Sequence, residues 1–78
     1  MQNAAGLPVI SGKECVRALI KAGFYIRRRK PSHIIMGRDV PFVQTVVPDH
    51  TTIDRGTPRV IIKEAGLTVE EFNKYLDR

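Results

Sequence analysis

A chain of 78 residues, 42% of them hydrophobic, builds one small domain; a single core of this size supplies only about 3–5 kcal/mol, which excludes a second domain and argues against a large internal metabolite pocket. The formal charge of +5 favours a polyanionic partner, because basic groups gain affinity by releasing the counterions condensed on a phosphate backbone; net charge for solubility is the alternative. Residues 1–63 hold 11 Lys or Arg against 4 Asp or Glu, and residues 64–78 hold 2 against 4, so the positive excess precedes Glu64.

Cys15 has no second thiol to pair with, which fits a reducing compartment and excludes a thiolate zinc site. Residues 1–10 lack the charged and apolar regions of a signal peptide, and no segment reaches the roughly 18 apolar residues that cross a bilayer. A soluble, cytoplasmic protein is expected. Met1 to Ile10, with Gly6 and Pro8 and no sustained period, reads as a flexible leader whose last residues can dock on the domain, and residues 11–78 as a single domain.

Ser11-Gly12-Lys13-Glu14 fits a capping box, so a helix begins there. Val16, Leu19 and Ile20 follow at the spacing of one apolar face, and Gly23 can take the left-handed conformation that ends a helix. Lys13, Arg17 and Lys21 recur every four residues on a polar face that is either solvated or in reach of phosphate. From Phe24 the residue types become aromatic and β-branched, predicting strands over 24–29, 32–38 and 42–47 joined by Lys30-Pro31 and Asp39-Val40-Pro41. Tight connections make consecutive strands antiparallel, hence a three-stranded meander.

Residues 48–56 form a polar loop. Thr57 as N-cap with Pro58 in the first helical position starts a second helix whose buried side is Val60, Ile61 and Ile62. Gly66 ends it, and Thr68 with Glu71 forms another capping box before a short helix bearing Phe72, Tyr75 and Leu76. The order helix, three antiparallel strands, helix, short helix is a two-layer α+β arrangement that resembles the double-stranded-RNA-binding fold.

The densest cationic feature is Arg27-Arg28-Arg29-Lys30. Alternation along a strand sends Arg27 and Arg29 to one side and Arg28 to the other, so the run grips phosphate around a turn or protects a solvated sheet edge. His33 follows three residues later. A histidine on a strand is commonly a plain surface or core residue, but it also takes or gives a proton at a ribose hydroxyl or leaving oxygen, with adjacent cations stabilising the phosphate charge. His50 in the loop Val47-Pro48-Asp49-His50-Thr51 is an accessory candidate: two histidines can divide acid and base roles, or bind a metal with Asp49 or Asp54, although no tight ligand spacing supports a metal.

Together these residues resemble the HicA-type toxins, also described as YcfA-like mRNA interferases. The matching features are Lys21-Ala22-Gly23-Phe24, Arg28-Arg29-Lys30, Ser32-His33 before an apolar strand, Val47-Pro48 with His50, and Gly56-Thr57-Pro58-Arg59 leading to Ile62-Lys63-Glu64-Ala65-Gly66-Leu67. Their order spans residues 11–76. The resemblance implies the toxin of a type II toxin–antitoxin system, a metal-independent endoribonuclease acting on mRNA without a cofactor, with His33 catalytic. It also implies a HicB-type antitoxin that covers the active site, and a hetero-oligomer with it. On that reading Arg28, Arg29, Lys30 and Arg38 hold phosphates and Ser32 orients the backbone or the imidazole.

One position departs from the family. Pro31 stands where the family usually has glycine, and proline offers neither a positive φ nor a backbone N–H; if that amide binds phosphate, turnover here is weakened. Two other classes remain open: a non-catalytic RNA-binding module gripping RNA by shape and charge, and a protein-interaction domain meeting an acidic partner. Ile34 and Met36 share one side of their strand and His33 and Ile35 the other, so the alternation does not say which side faces solvent.

Overall fold

Ser11 starts the first helix through the predicted reciprocal cap: its hydroxyl accepts from the Glu14 amide at 3.1 Å, and the Glu14 carboxylate accepts from the Ser11 amide at 2.9 Å. The computed structural model describes residues 6–54 and 56–76. Its elements are α1 (Gly12–Lys21), β1 (Tyr25–Lys30), β2 (His33–Asp39), β3 (Phe42–Pro48), α2 (Gly56–Glu64) and α3 (Val69–Tyr75). Gly23 closes α1 at φ 100°. The strands form an antiparallel meander in the order β1-β2-β3, and the helices cover one face, as expected of a two-layer α+β fold.

The helix-covered face carries Ile34 and Met36 of β2 and Val47 and Thr45 of β3, all buried, together with Cys15, Ala18, Leu19, Ile61, Ile62 and Phe72 from the helices. The buried Thr45 is satisfied, because its hydroxyl donates to Glu64 Oε1 at 2.6 Å. Burial pushes the Cys15 thiol up to about 12. The unfolded thiol ionises near its ordinary value of about 8.5 while the folded one keeps its proton, so the group erodes stability as pH rises from about 8.5 towards 12. Denaturant midpoints at neutral and alkaline pH should therefore fall more steeply for the native chain than for Cys15→Ala; equal slopes would contradict this burial.

Several expectations change. Ile20 and Val60 are about half exposed, at 48% and 57%, because the helix layer leaves the outer edge of each apolar stripe uncovered. The second helix begins one residue before Thr57, and the cap comes from Asp54, whose Oδ1 accepts from the Thr57 amide at 2.9 Å. That bond is the main cause holding Asp54 below the usual carboxylate range. Of the leader, residues 1–5 lie outside the described residues, and its last part docks on the domain as the reading allowed, with Leu7 and Ile10 buried in the core. Ile10 bridges Ile53, and the Gly6 carbonyl accepts from Asn73 Nδ2 at 3.0 Å. Among the described residues no helix is long and apolar enough to cross a membrane.

α1 is held to the end of the sheet by close approach. The Gly12 amide donates to the His50 carbonyl at 2.8 Å, and a Cβ at Gly12 would overlap the Pro48 carbonyl oxygen and lie 3.1 Å from Asp49 Cα. This contact fixes the start of α1 against the loop after β3.

Candidate nucleic-acid interface

The helices occupy one face of the sheet, and the other is open. The ladder of paired residues assigns each side chain to a face, since directly opposed residues project to the same side. Lys30, His33 and Pro48 are opposed across the three strands, as are Arg28, Ile35 and Val46. Ile34 and Met36 point into the core, so His33 and Ile35 face outward; His33 is exposed. The Cβ atoms of Lys30 and His33 are then about 5 Å apart, and Arg28 is the diagonal neighbour at about 7–8 Å.

The expected alternation along the basic run is corrected by a bulge. Ile26 pairs with Met36 and Arg28 with the next residue of the ladder, Ile35, which leaves Arg27 as the extra residue. Arg27 consequently lies on the open face with Arg28 and Lys30, while Arg29, opposed to Ile34, turns towards the helices. Three cations of the run thus share one surface. Arg27 lies flat over Gly37, where a Cβ would collide with its side chain. Its guanidinium stacks 5.0 Å from the Tyr25 ring centroid and 4.7 Å from that of Phe42, and donates to Asp39 Oδ1 at 3.0 Å and to the Arg38 carbonyl at 3.2 Å. The Tyr25 hydroxyl also donates to Asp39 Oδ1 at 2.7 Å. That bond, with Arg27 adding to it, holds Asp39 below the usual carboxylate range. Sequence reasoning singled out Arg27 but not its side, and missed Tyr25, Phe42 and Gln44 as members of this face; the signal for the arrangement was Gly37, a glycine inside a strand, which marks a bulge or a close approach.

Arg29 lines a separate groove between α1 and β1 with Lys13, Arg17 and Asp49, floored by Val16, Ile20, Ile26 and Ile34. Arg38 stands apart from the other cations. It belongs to the helix-covered side at the far end of β2, with its guanidinium 4.8 Å from the buried Phe24 ring, and a strand rise of about 3.3 Å per residue puts it roughly 17 Å from His33. His50 is exposed in the loop two residues after Pro48, the cross-strand partner of His33, so both histidines occur at one end of the sheet. Among the described residues, no group of three or more His, Cys, Asp or Glu gathers to hold a metal ion.

Ser32 has a structural part in this arrangement. It takes φ 64°, and its carbonyl accepts from the Asp49 amide at 2.9 Å, tying the β1–β2 turn to the loop after β3. Proline followed by a residue of positive φ is the pattern of a type II turn, so the left-handed demand falls on position 32 and Pro31 fits its own. Of the two properties that glycine would bring to position 31, only the N–H is lost. Ser32→Gly should raise stability by about 0.5–1 kcal/mol, relief of the left-handed strain being partly offset by the freedom glycine adds to the unfolded chain. A lower melting temperature would mean that the serine side chain contributes more to the turn than the strain costs.

A family model described as the HicA toxin of bacterial toxin–antitoxin systems matches residues 12–67. The chain belongs to the HicA toxin family. No curated protein and no solved structure matches it. The match runs from the first residue of α1 to the segment after α2, so it covers the whole sheet and both grooves of this HicA chain. Membership makes the chain a toxin of the toxin–antitoxin type and implies an antitoxin partner. α3, with the buried Phe72, lies beyond the matched segment.

Proposed function

We propose that this HicA-family chain is a cytoplasmic, metal-independent endoribonuclease that cleaves mRNA, with His33 as the proton-transfer group, held inactive by a HicB-type antitoxin in a hetero-oligomer. The observation that carries the reading is the placement of an exposed His33 on the open sheet face, opposite Lys30 and diagonal to Arg28. In such a cleavage the ribose 2′-oxygen forms a bond to the adjacent phosphorus and the bond from phosphorus to the 5′-oxygen breaks. The 2′-hydroxyl gives up a proton and the leaving oxygen takes one. His33 serves as a neutral base in the first transfer or as imidazolium in the second. Lys30 and Arg28 stabilise the charge that grows on the phosphoryl oxygens.

The other site residues take graded roles. Ser32 positions the imidazole by shaping the turn immediately before it. Arg29, on the other side of β1, meets flanking phosphates together with Lys13 and Arg17 rather than the scissile one. Arg38 is too remote to touch the phosphate at His33, and its part is to pack on Phe24. His50 remains the candidate for the second proton.

Purified protein incubated with RNA in excess EDTA tests the reading. Discrete products on a gel, formed without divalent ions, are expected. Intact RNA that is nonetheless retained by the protein would replace the nuclease reading with that of an RNA-binding module, and Pro31→Gly would then ask whether the missing amide is responsible.

A further inference from the structure

The open face has two ends, and the proposed chemistry uses only one. His33 and Lys30 stand at the β1–β2 turn; Tyr25 and Phe42 stand at the opposite end, near the β2–β3 turn. Six strand steps separate His33 from Asp39, the partner of Phe42, a distance of about 20 Å. Arg28, Ile35, Gln44 and Val46 lie between, and Arg27, Arg28, Lys30, Ile35 and Gln44 line one shallow groove there. Asp39 is the single acidic residue among those the three strands place on this face, and it is engaged by Arg27 and Tyr25. Phe42 remains 69% exposed although Arg27 stacks on it, so its ring keeps a face for another partner.

We infer that the open sheet face is a track for single-stranded RNA, with a base stacked on Phe42 at one end while the scissile phosphate lies at His33. This rests on the nuclease reading for the role of His33 but not for binding. A cationic groove that follows a backbone, ending on an exposed aromatic ring, is the arrangement by which sheet surfaces hold unpaired nucleotides: every base has a π-face, and a duplex hides those faces in its stack. Phe42 therefore sets the length and the single-stranded character of the substrate and takes no part in the chemistry. The cations complement the phosphates, which favours RNA over an apolar protein segment as the occupant.

Binding is measured in His33→Ala, which keeps substrate intact, by fluorescence anisotropy of a labelled oligouridylate of about six nucleotides, a labelled dinucleotide, and a duplex of the longer length. The longer single strand should bind best. Phe42→Ala should weaken it about tenfold, the loss of one base–aromatic stack, and leave the dinucleotide unchanged. Phe42→Leu, which preserves apolar cover over Arg27, should lose nearly as much, separating stacking from packing. Equal affinity of Phe42→Leu and the parent for the longer strand, or a duplex bound as tightly as the single strand, would overturn the track and leave the face to a protein partner. A chain that binds as described but does not cleave would remove the nuclease reading and keep this one.

Discussion

Replacing His33 by alanine is expected to lower RNA cleavage by roughly 10²–10⁴-fold, the usual contribution of a positioned acid or base, and to abolish toxicity when expressed without an antitoxin. The fold should be indifferent: His33 is exposed at the first residue of β2, and surface substitutions of this kind change stability by within about 0.5 kcal/mol. The readout is the single-turnover rate in EDTA beside the thermal melting curve. A variant that cuts at the parental rate would remove His33 from the chemistry and turn attention to His50. The bulge at Arg27 supplies an internal control. Because it turns Arg28 to the face of His33 and Arg29 away from it, Arg28→Ala should slow cleavage at saturating RNA, whereas Arg29→Ala should act mainly through binding. Equal losses of rate in the two variants would contradict the register on which the site is built.

Phe72→Ala is expected to unfold the protein. Phe72 is fully buried in α3, packed with Leu76 and the rest of the core. Truncating a buried phenylalanine costs about 3–5 kcal/mol, comparable to the entire stability of a domain this small. The consequence reaches beyond one side chain, because α3 lies outside the segment that matches the family and yet supplies part of the interior on which the sheet rests. Far-ultraviolet circular dichroism through a thermal ramp should show no cooperative transition at room temperature and above. A melt within a few degrees of the parent would mean that the segment from α1 to α2 folds without α3.

Features that depend on residues within a turn of one another were mostly legible in the sequence, the cap of α2 by Asp54 in place of Thr57 being an exception. The two capping boxes form as read, Ser11 with Glu14 and Thr68 with Glu71. The short connections force the meander, so the order of elements follows from local chemistry. The family was legible as well, because it rests on a succession of such short segments. What the sequence left open were questions of side. Ile34 and Met36 against His33 and Ile35 offered two apolar faces on one strand, and only the packing of Leu19, Ile61 and Phe72 over the first pair sends His33 into solvent.

Similarly, alternation predicts the direction of a side chain only while the register holds. One extra residue at Arg27, accommodated by Gly37 across the ladder, reverses the side of Arg27 relative to Arg29 and gathers three cations on one face. Arg38 was read as a phosphate ligand, but its guanidinium packs on Phe24, which is buried in the connection between α1 and β1. Composition, the two capping boxes, turns and strand order come from interactions a few residues apart, and the sequence by itself determined those. The facing of His33, the grouping of its cations and the recruitment of Leu7, Ile10 and Phe72 to the core arise between residues distant in the chain, where the energy of burial rather than local propensity chooses, and only the tertiary structure decided them.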